Sequence, residues 1–323
     1  EGTGTRTRLT ATGAGPGGGP HVKVYDAATG QLKFSFFAFD PNFTGGVRVA
    51  VGDVNGDGVD DIVCAAGPGG GPAVKVFDGT DGHLLTSFFA YDPGFSGGVT
   101  VAAGDITGSG KADIVTGADA GGGPHVKVFD GTTGAVLDQF MAYDIGFTGG
   151  VRVACGDVNG DGLMDIVTGA GPGGGPHVQV FDEEPLLVHP VYYYPNGPTR
   201  AQLSSVFAFD QSYTGGVFVA AGDVTGDGKA ELVVGQGQGI GAKVRVLNAI
   251  DGSVLAESAP FAGSFVLGAR VAVTDPNEHG RAEVLAAPGP VGTKVKILDG
   301  ATLAQQSEFT AYDPNFPGGV FVG

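Results

Sequence analysis

The chain has 323 residues, of which 62 are Gly and 19 Pro, and its hydrophobic share is 42%. That much Gly and Pro alone would suit a low-complexity segment, but the apolar share is enough for a packed core, so short strands punctuated by regular turns are expected. Only 17 Lys and Arg face 34 Asp and Glu, a formal charge of -17, which argues against nucleic acid and anionic membranes as partners and leaves cations or neutral ligands.

From the first residue the chain reads as the strand segment "TRLTATGAG", the glycine run "GPGGGP", the strand "HVKVYD" and, past a short turn, the strand "LKFSFFAFD". The turn "DPNFTGG" then leads into the strand "VRVAVGD", and the order repeats with "DDIVCAAG", "AVKVFD", the hairpin turn "DGTDG" and "LLTSFFAYD". Aligned on the Asp after Gly, the copies place Asp53, Asp105, Asp157, Asp223 and Asp275 at spacings of 52, 52, 66 and 52. Stepping back one period reaches Glu1, so six units begin near residues 1, 53, 105, 157, 223 and 275. The spacing of 66 in place of 52 marks an insertion of 14 residues, near 183–198, between two strands of the fourth copy. Helix signals are absent throughout.

Four short antiparallel strands repeated six times predict an all-β fold, a six-bladed β-propeller forming a single domain over 1–323. The chain starts just after the first strand of a copy and finishes on "GGVFVG", a first strand without followers. The C-terminal strand is therefore expected to pair within the N-terminal blade and close the ring, leaving no open edge. No apolar run approaches the length of a membrane span, and no signal peptide stands at the start of the sequence, so a soluble chain without direct membrane insertion is expected.

Phe43 with Gly45 and Gly46 in "FTGG", the acidic loop "GDVNGDGVDD" and the following "AAGPGGGP" resemble the FG-GAP repeat of integrin α-subunit heads and of related bacterial and fungal calcium-binding propellers, fungal lectins included. The resemblance runs through all six copies. It implies a propeller, and a function drawn from a range that spans adhesion receptors, lectins, scaffolds and lyase-associated domains. Integrin heads have one blade more, and the unit here is shorter.

The acidic loops carry the clearest chemistry. Calcium takes six to eight oxygen ligands, and alternate positions of a tight loop turn several oxygens toward one point. Asp53, Asn55 and Asp57 stand at positions one, three and five, Gly58 permits the sharp turn, Val59 offers its carbonyl, and Asp61 closes the set at position nine. The loop from Asp157 repeats this with Asn159, Asp161, the carbonyl of Leu163, and Asp165. A third set comprises Asp223, Thr225, Asp227, the carbonyl of Lys229, and Glu231. An EF-hand is excluded, because it needs flanking helices and Glu at position twelve, where Cys64 and Thr168 stand. Ser109 and His279 replace the fifth-position carboxylate in the copies from Asp105 and Asp275. There Lys111 and Arg281 are expected to substitute for a metal, holding Asp105 to Asp113 and Asp275 to Glu283. The first copy, "EGTGTRTRL", has lost the acidic set.

Other recurring residues have plainer readings. His21, His125 and His177 share the start of one strand, and Asp40, Asp92, Asp144, Asp210 and Asp313 are expected to cap turns. Cys64 and Cys155 sit in apolar runs and read as small buried hydrophobes. The glycine runs lack the Lys and Ser/Thr ending of a phosphate loop. Arg48, Arg152 and Arg270 share one position on the innermost strand with Thr100, Phe218 and Phe321, either lining the central channel or pairing with acidic neighbours. Tyr192, Tyr193 and Tyr194 in the insertion, among prolines, suit a surface that stacks on sugar or seats a protein, or a loop that covers a blade edge.

These features lead to a non-catalytic, extracellular or cell-surface, Ca²⁺-stabilised propeller acting as an adhesion or structural binding module. Its expected partners are a protein or glycan ligand, with neighbouring domains if the copies belong to a longer chain, and no nucleic acid. A carbohydrate-binding lectin is the second reading, and a polysaccharide lyase or hydrolase the third.

Overall fold

In a computed structural model, the residues described are 6–182, 201–238, 242–261, 268–275 and 280–323. They form six separate four-stranded antiparallel sheets and no helix. Blade 1 consists of Val320–Val322, Leu9–Ala14, His21–Asp26 and Leu32–Phe37 in that order, so the last strand does complete the first blade. Thr12 faces Val322 and Ala14 faces Val320 across that closing pair. Blades 2 to 6 each take four consecutive strands, starting with Val47–Gly52, Val99–Gly104, Val151–Gly156, Val217–Gly222 and Ala269–Thr274. These five strands and Val320–Val322 contact one another in a ring around the axis.

Burial follows radial position. The second strands, such as Asp61–Ala66 and Asp165–Ala170, are buried along their full length, because both faces of a blade press on neighbouring blades, and their sequences are accordingly almost continuously apolar. Third strands alternate, with Val74 and Val76 buried and Lys75 between them partly exposed. Fourth strands such as Leu84–Phe89 form the exposed rim. The core is thus six cores, each between two blades. One joins Val167, Val178 and Val180 of blade 4 to Val217, Leu232 and Val234 of blade 5, and another joins Leu285 and Val295 of blade 6 to Ala14 and Val320 of blade 1. Cys64 lies fully buried in the core between blades 1 and 2, and Cys155 is half-buried; both are free thiols.

Two kinds of turn place the rest. In "DPNFTGG" the Asp40 carboxylate accepts from Asn42 N–H at 2.8 Å, as expected of a cap, and Asp92, Asp144, Asp210 and Asp313 do the same in their copies. Phe43 then lies flat on backbone, so a Cβ at Gly45 or Gly70 would fall within 2.6 Å of its ring. These glycines are required by that contact. The turn between third and fourth strands carries the same N–H to C=O bond at its base in every blade: Asp26 to Gln31, Asp78 to His83, Asp130 to Ala135, Asp182 to Ala201, Asn248 to Ser253 and Asp299 to Ala304, at 2.8 to 2.9 Å. The insertion falls inside the fourth of these. Tyr192, Tyr193 and Tyr194 lie outside the described residues.

Candidate metal centres

All the acidic loops connect first to second strands and so share one face of the ring, opposite the glycine-rich turns. In blade 2 the loop is built by its first and last carboxylates. Asp53, 4% exposed, accepts N–H bonds from Gly56 at 2.6 Å, Asp57 at 3.1 Å and Gly58 at 2.9 Å, and Gly56 and Gly58 adopt left-handed φ of 82° and 88° to present them. Asp61, fully buried, accepts from Val54 at 2.9 Å and Asn55 at 3.3 Å, and its second oxygen accepts from Gly79 at 2.9 Å. Burial pushes the Asp61 carboxyl up to about 6, only partly offset by those N–H donors.

The middle positions behave differently. Asp57 is exposed, and its carboxylate accepts from Val59 N–H at 2.8 Å and from the Asn55 amide at 3.2 Å. The same amide donates to Asp78 at 3.2 Å, and Thr80 donates to Asp57 at 3.3 Å. The Asn55 NH₂ therefore sits between two carboxylates, in a place suited to a cation. Blade 4 repeats the scaffold: Asp157 accepts from Gly160, Asp161 and Gly162, Asp165 accepts from Val158 at 2.8 Å, and Asn159 donates to the exposed Asp161 at 2.9 Å. In blade 5, Asp223 accepts from Gly226, Asp227 and Gly228, while Glu231 takes Val224 and Thr225 N–H and the Thr225 hydroxyl.

Each loop is also tied to the next blade. The carbonyls of Asp53, Asp157 and Asp223 accept the N–H of Ala112, Ala230 and Ala282 at 2.7 Å, so position one of a loop bonds position eight of the following loop. Position seven lies over the preceding loop: the aliphatic chain of Lys111 covers Gly56, and that of Lys229 covers Gly160. This corrects the expectation for Lys111 and Arg281, which do not bridge the acidic ends of their own loops. Lys111 reaches back to blade 2, and Arg281 donates to the Val224 carbonyl at 3.2 Å and lies 3.7 Å from Asp299. The first copy, which lacks the acidic set, supplies positive charge to its neighbour, with Arg6 at 3.7 Å from Asp53 and Arg8 at 3.5 Å from Asp60.

The donor chemistry of the blade 2 and blade 4 loops, hard oxygens at alternate positions of a glycine turn, fits a divalent cation such as Ca²⁺. Asp53, Asn55, Asp57, Asp61 and the Val59 carbonyl would hold it in blade 2; Asp157, Asn159, Asp161, Asp165 and the Leu163 carbonyl in blade 4. In blade 5, Asp223, Thr225, Asp227, Glu231 and the Lys229 carbonyl offer a set in which Thr replaces Asn at position three and Glu replaces Asp at position nine. Among the described residues, the acidic and imidazole ligand atoms that already lie within 4.8 Å of one another are those of Asp78, Asp81 and His83, in the hairpin beside the blade 2 loop. In the loops themselves Asp53 and Asp61 are fixed by backbone N–H groups, while Asp57 and Asp161 are exposed.

Comparison with known proteins bears on this architecture. The FG-GAP-like repeat model matches residues 53–116, and the FG-GAP repeat model matches 149–180 and 215–248, each match holding an acidic loop and the strands around it. The chain is a β-propeller of FG-GAP repeats. No curated protein matches this FG-GAP propeller in sequence. Among solved structures it is similar to a protein of unknown function from Bacteroides caccae, with TM-score 0.54 and 12% identity over 97% of this chain and 98% of that one. It is also similar to a chain of the mitotic checkpoint complex, with TM-score 0.50 and 14% identity over 91% and 72%. Rhamnogalacturonan lyase YesW follows with TM-score 0.47 and 14% identity over 98% and 69%. At such identities the likeness concerns the fold alone.

Two outcomes concern residues whose role the repeat left open. His21, His125 and His177 pack at a tilt against Tyr312, Tyr91 and Tyr143, with ring centroids 5.4 to 5.6 Å apart, and burial lowers their pKa, which makes them packing residues of the propeller. The innermost arginines satisfy both readings at once: Arg48, Arg152 and Arg270 line the channel, and Arg48 also pairs with Asp119 at 2.5 Å. Asp119 escaped the sequence reading. The available signal was that it stands where the other copies have Gly15, Gly67, Gly171, Gly237 and Gly289.

Proposed function

We propose that this FG-GAP propeller is a non-catalytic, calcium-stabilised binding scaffold that works outside the cell or at its surface. The observation that carries the reading is the blade-to-blade bond from position one of each loop. An ion held by Asp53, Asn55, Asp57 and Asp61 would stiffen the residue whose carbonyl grips Ala112 of the next blade. The metal then acts as a staple between sheets, and extracellular calcium, at about 2 mM against a dissociation constant near 0.1 mM, would contribute about 1.8 kcal/mol per site. Each divalent ion also removes two charges from a chain carrying -17, easing self-repulsion. The partner is a protein or glycan ligand at the surface. Amide hydrogen exchange with calcium and with chelator tests this: Ala112 and Ala230 should lose protection in chelator, and equal protection would remove the staple.

A second reading, a lectin, draws support from one place. On the glycine-turn face of blade 5, a cleft of about 550 Å³ is lined by Phe209, Asp210, Tyr213, Gln238, Lys243 and Arg245. An aromatic floor with polar groups around it suits a sugar ring. A glycan array showing saturable binding that Tyr213→Ala abolishes would favour the lectin; silence would favour the scaffold.

A further inference from the structure

The six innermost strands place Arg48, Thr100, Arg152, Phe218, Arg270 and Phe321 at one level of the channel. Arginine therefore occurs on blades 2, 4 and 6, every second blade, so three guanidinium groups approach the axis with three-fold spacing. They sit near the mouth formed by the glycine turns, since a Cβ at Gly67 would meet Arg48 Nη1 at 2.2 Å and one at Gly216 would meet Arg152 Nη1 at 2.8 Å. The acidic loops occupy the other face.

This cluster is buried and poorly compensated. Arg270 is 5% exposed and Arg48 9%. Phe321 covers the faces of both, at 3.6 Å from Arg270 Cζ and 4.9 Å from Arg48 Cζ, and Phe218 covers Arg152 at 4.7 Å. Stacking on a ring occupies the flat face of a guanidinium and leaves its in-plane N–H groups needing acceptors. Arg48 gives one to Asp119, and Arg152 gives one to the Ala170 carbonyl at 3.4 Å. Among the described residues, Nε and Nη1 of Arg48 and Nε and Nη1 of Arg270 are buried with no acceptor. Three positive charges thus face one carboxylate, and a desolvated charge left unpaired is strongly unfavourable. Burial, with Arg48 and Arg152 nearby, pulls Arg270 down to about 9, still cationic at neutral pH.

We propose that the axial channel of this propeller is a binding site for a small divalent oxyanion of the sulfate or phosphate type, held by Arg48, Arg152 and Arg270. The residual charge of the cluster matches a dianion. The space they line has a volume of about 70 Å³, room for a tetrahedral oxyanion. Guanidinium groups from three alternate blades line this space, and their N–H donors match the oxygens of such an ion. Thr100 does not compete for it, since its hydroxyl donates to the Val151 carbonyl at 2.8 Å. Asp119 limits the affinity, because its carboxylate already claims one arginine and repels a second anion. The site is independent of the calcium loops and stands whether or not they bind metal.

Isothermal titration of the full chain with sodium sulfate and with sodium phosphate, at constant ionic strength in sodium chloride, tests the assignment. One saturable equivalent is expected, with Arg270→Met weakening it about 10- to 100-fold through the loss of charge-assisted bonds. Asp119→Asn should tighten it several-fold, and it keeps the test decisive should circular dichroism show that Arg270→Met does not fold. Absence of saturable binding, or affinities unchanged in Arg270→Met and Asp119→Asn, would overturn the site.

Discussion

The loops 53–61 and 105–113 occupy the same place in adjacent blades, one with a full set of oxygen ligands and the other without. Their backbones are nevertheless held alike. Asp105 accepts from Ser109 N–H at 2.9 Å and Gly110 N–H at 2.7 Å, as Asp53 does from Asp57 and Gly58, and Asp113 accepts from Ile106 and Thr107 at 3.1 and 3.0 Å, as Asp61 does from Val54 and Asn55. The carboxylates at positions one and nine are therefore parts of the turn, needed with or without an ion. Among side-chain oxygen donors, only positions three and five, Asn55 and Asp57 against Thr107 and Ser109, separate this candidate metal loop from its plain neighbour. Acidity at the ends of such a loop is evidence of a turn; acidity in its middle points to a ligand set.

Four substitutions press on that distinction. The largest effect belongs to Asp61→Ala, which strips acceptors from Val54, Asn55 and Gly79 in a fully buried place. It should cost about 3 kcal/mol or more in urea unfolding in chelator, and still more in calcium, where an ion ligand is lost as well. Asp57→Ala should act the other way round, leaving the chelated protein nearly unchanged while removing about 1.8 kcal/mol of calcium-dependent stability; a large loss in chelator would erase the division of labour. Ser109→Asp places the missing carboxylate in the plain loop and should add a new calcium response of about 1 kcal/mol or less, read as an extra equivalent in calcium titration.

The smallest effect is one of pH. Burial raises Asp113 to about 6 from an ordinary 3.8, ahead of the opposing Thr107 hydrogen bonds. Between those values the folded chain holds a proton that the unfolded chain releases, so this group favours folding at low pH, and its contribution fades as pH rises through about 6. In chelator, melting temperatures at pH 4.5 and 7 should differ less for Asp113→Asn than for the parent chain; an equal difference would show that Asp113 does not titrate in this window.

Much of the fold was legible because turn chemistry repeats with the strands. The period, the six blades and the closing strand Val320–Val322 all followed from residues whose role is local: Asp40 capping a turn, Gly45 beneath Phe43, Val74 alternating with Lys75. The site was legible only in composition. That Asp53 and Asp61 are consumed by their own backbone depends on how the loop folds back, which spacing alone does not reveal. Lys111 was misplaced for a related reason, since its contact lies one blade behind and 55 residues earlier in the chain, at Gly56. The convergence of Arg48, Arg152 and Arg270 is a property of the ring, because residues about a hundred positions apart meet only when alternate blades point at a common axis.

The six identical bonds at the base of the outer hairpins have a further consequence. Phe181 still pairs with Gln202, and Asp182 still bonds Ala201, although the fourth hairpin carries many more residues than Asp130 to Ala135. Strand register is thus insulated from whatever the tip contains, and loop-closure entropy rises only slowly with added length. The perimeter offers six equivalent docking ports for foreign peptide, which evolution or an engineer can fill one at a time without redrawing the wheel that carries them.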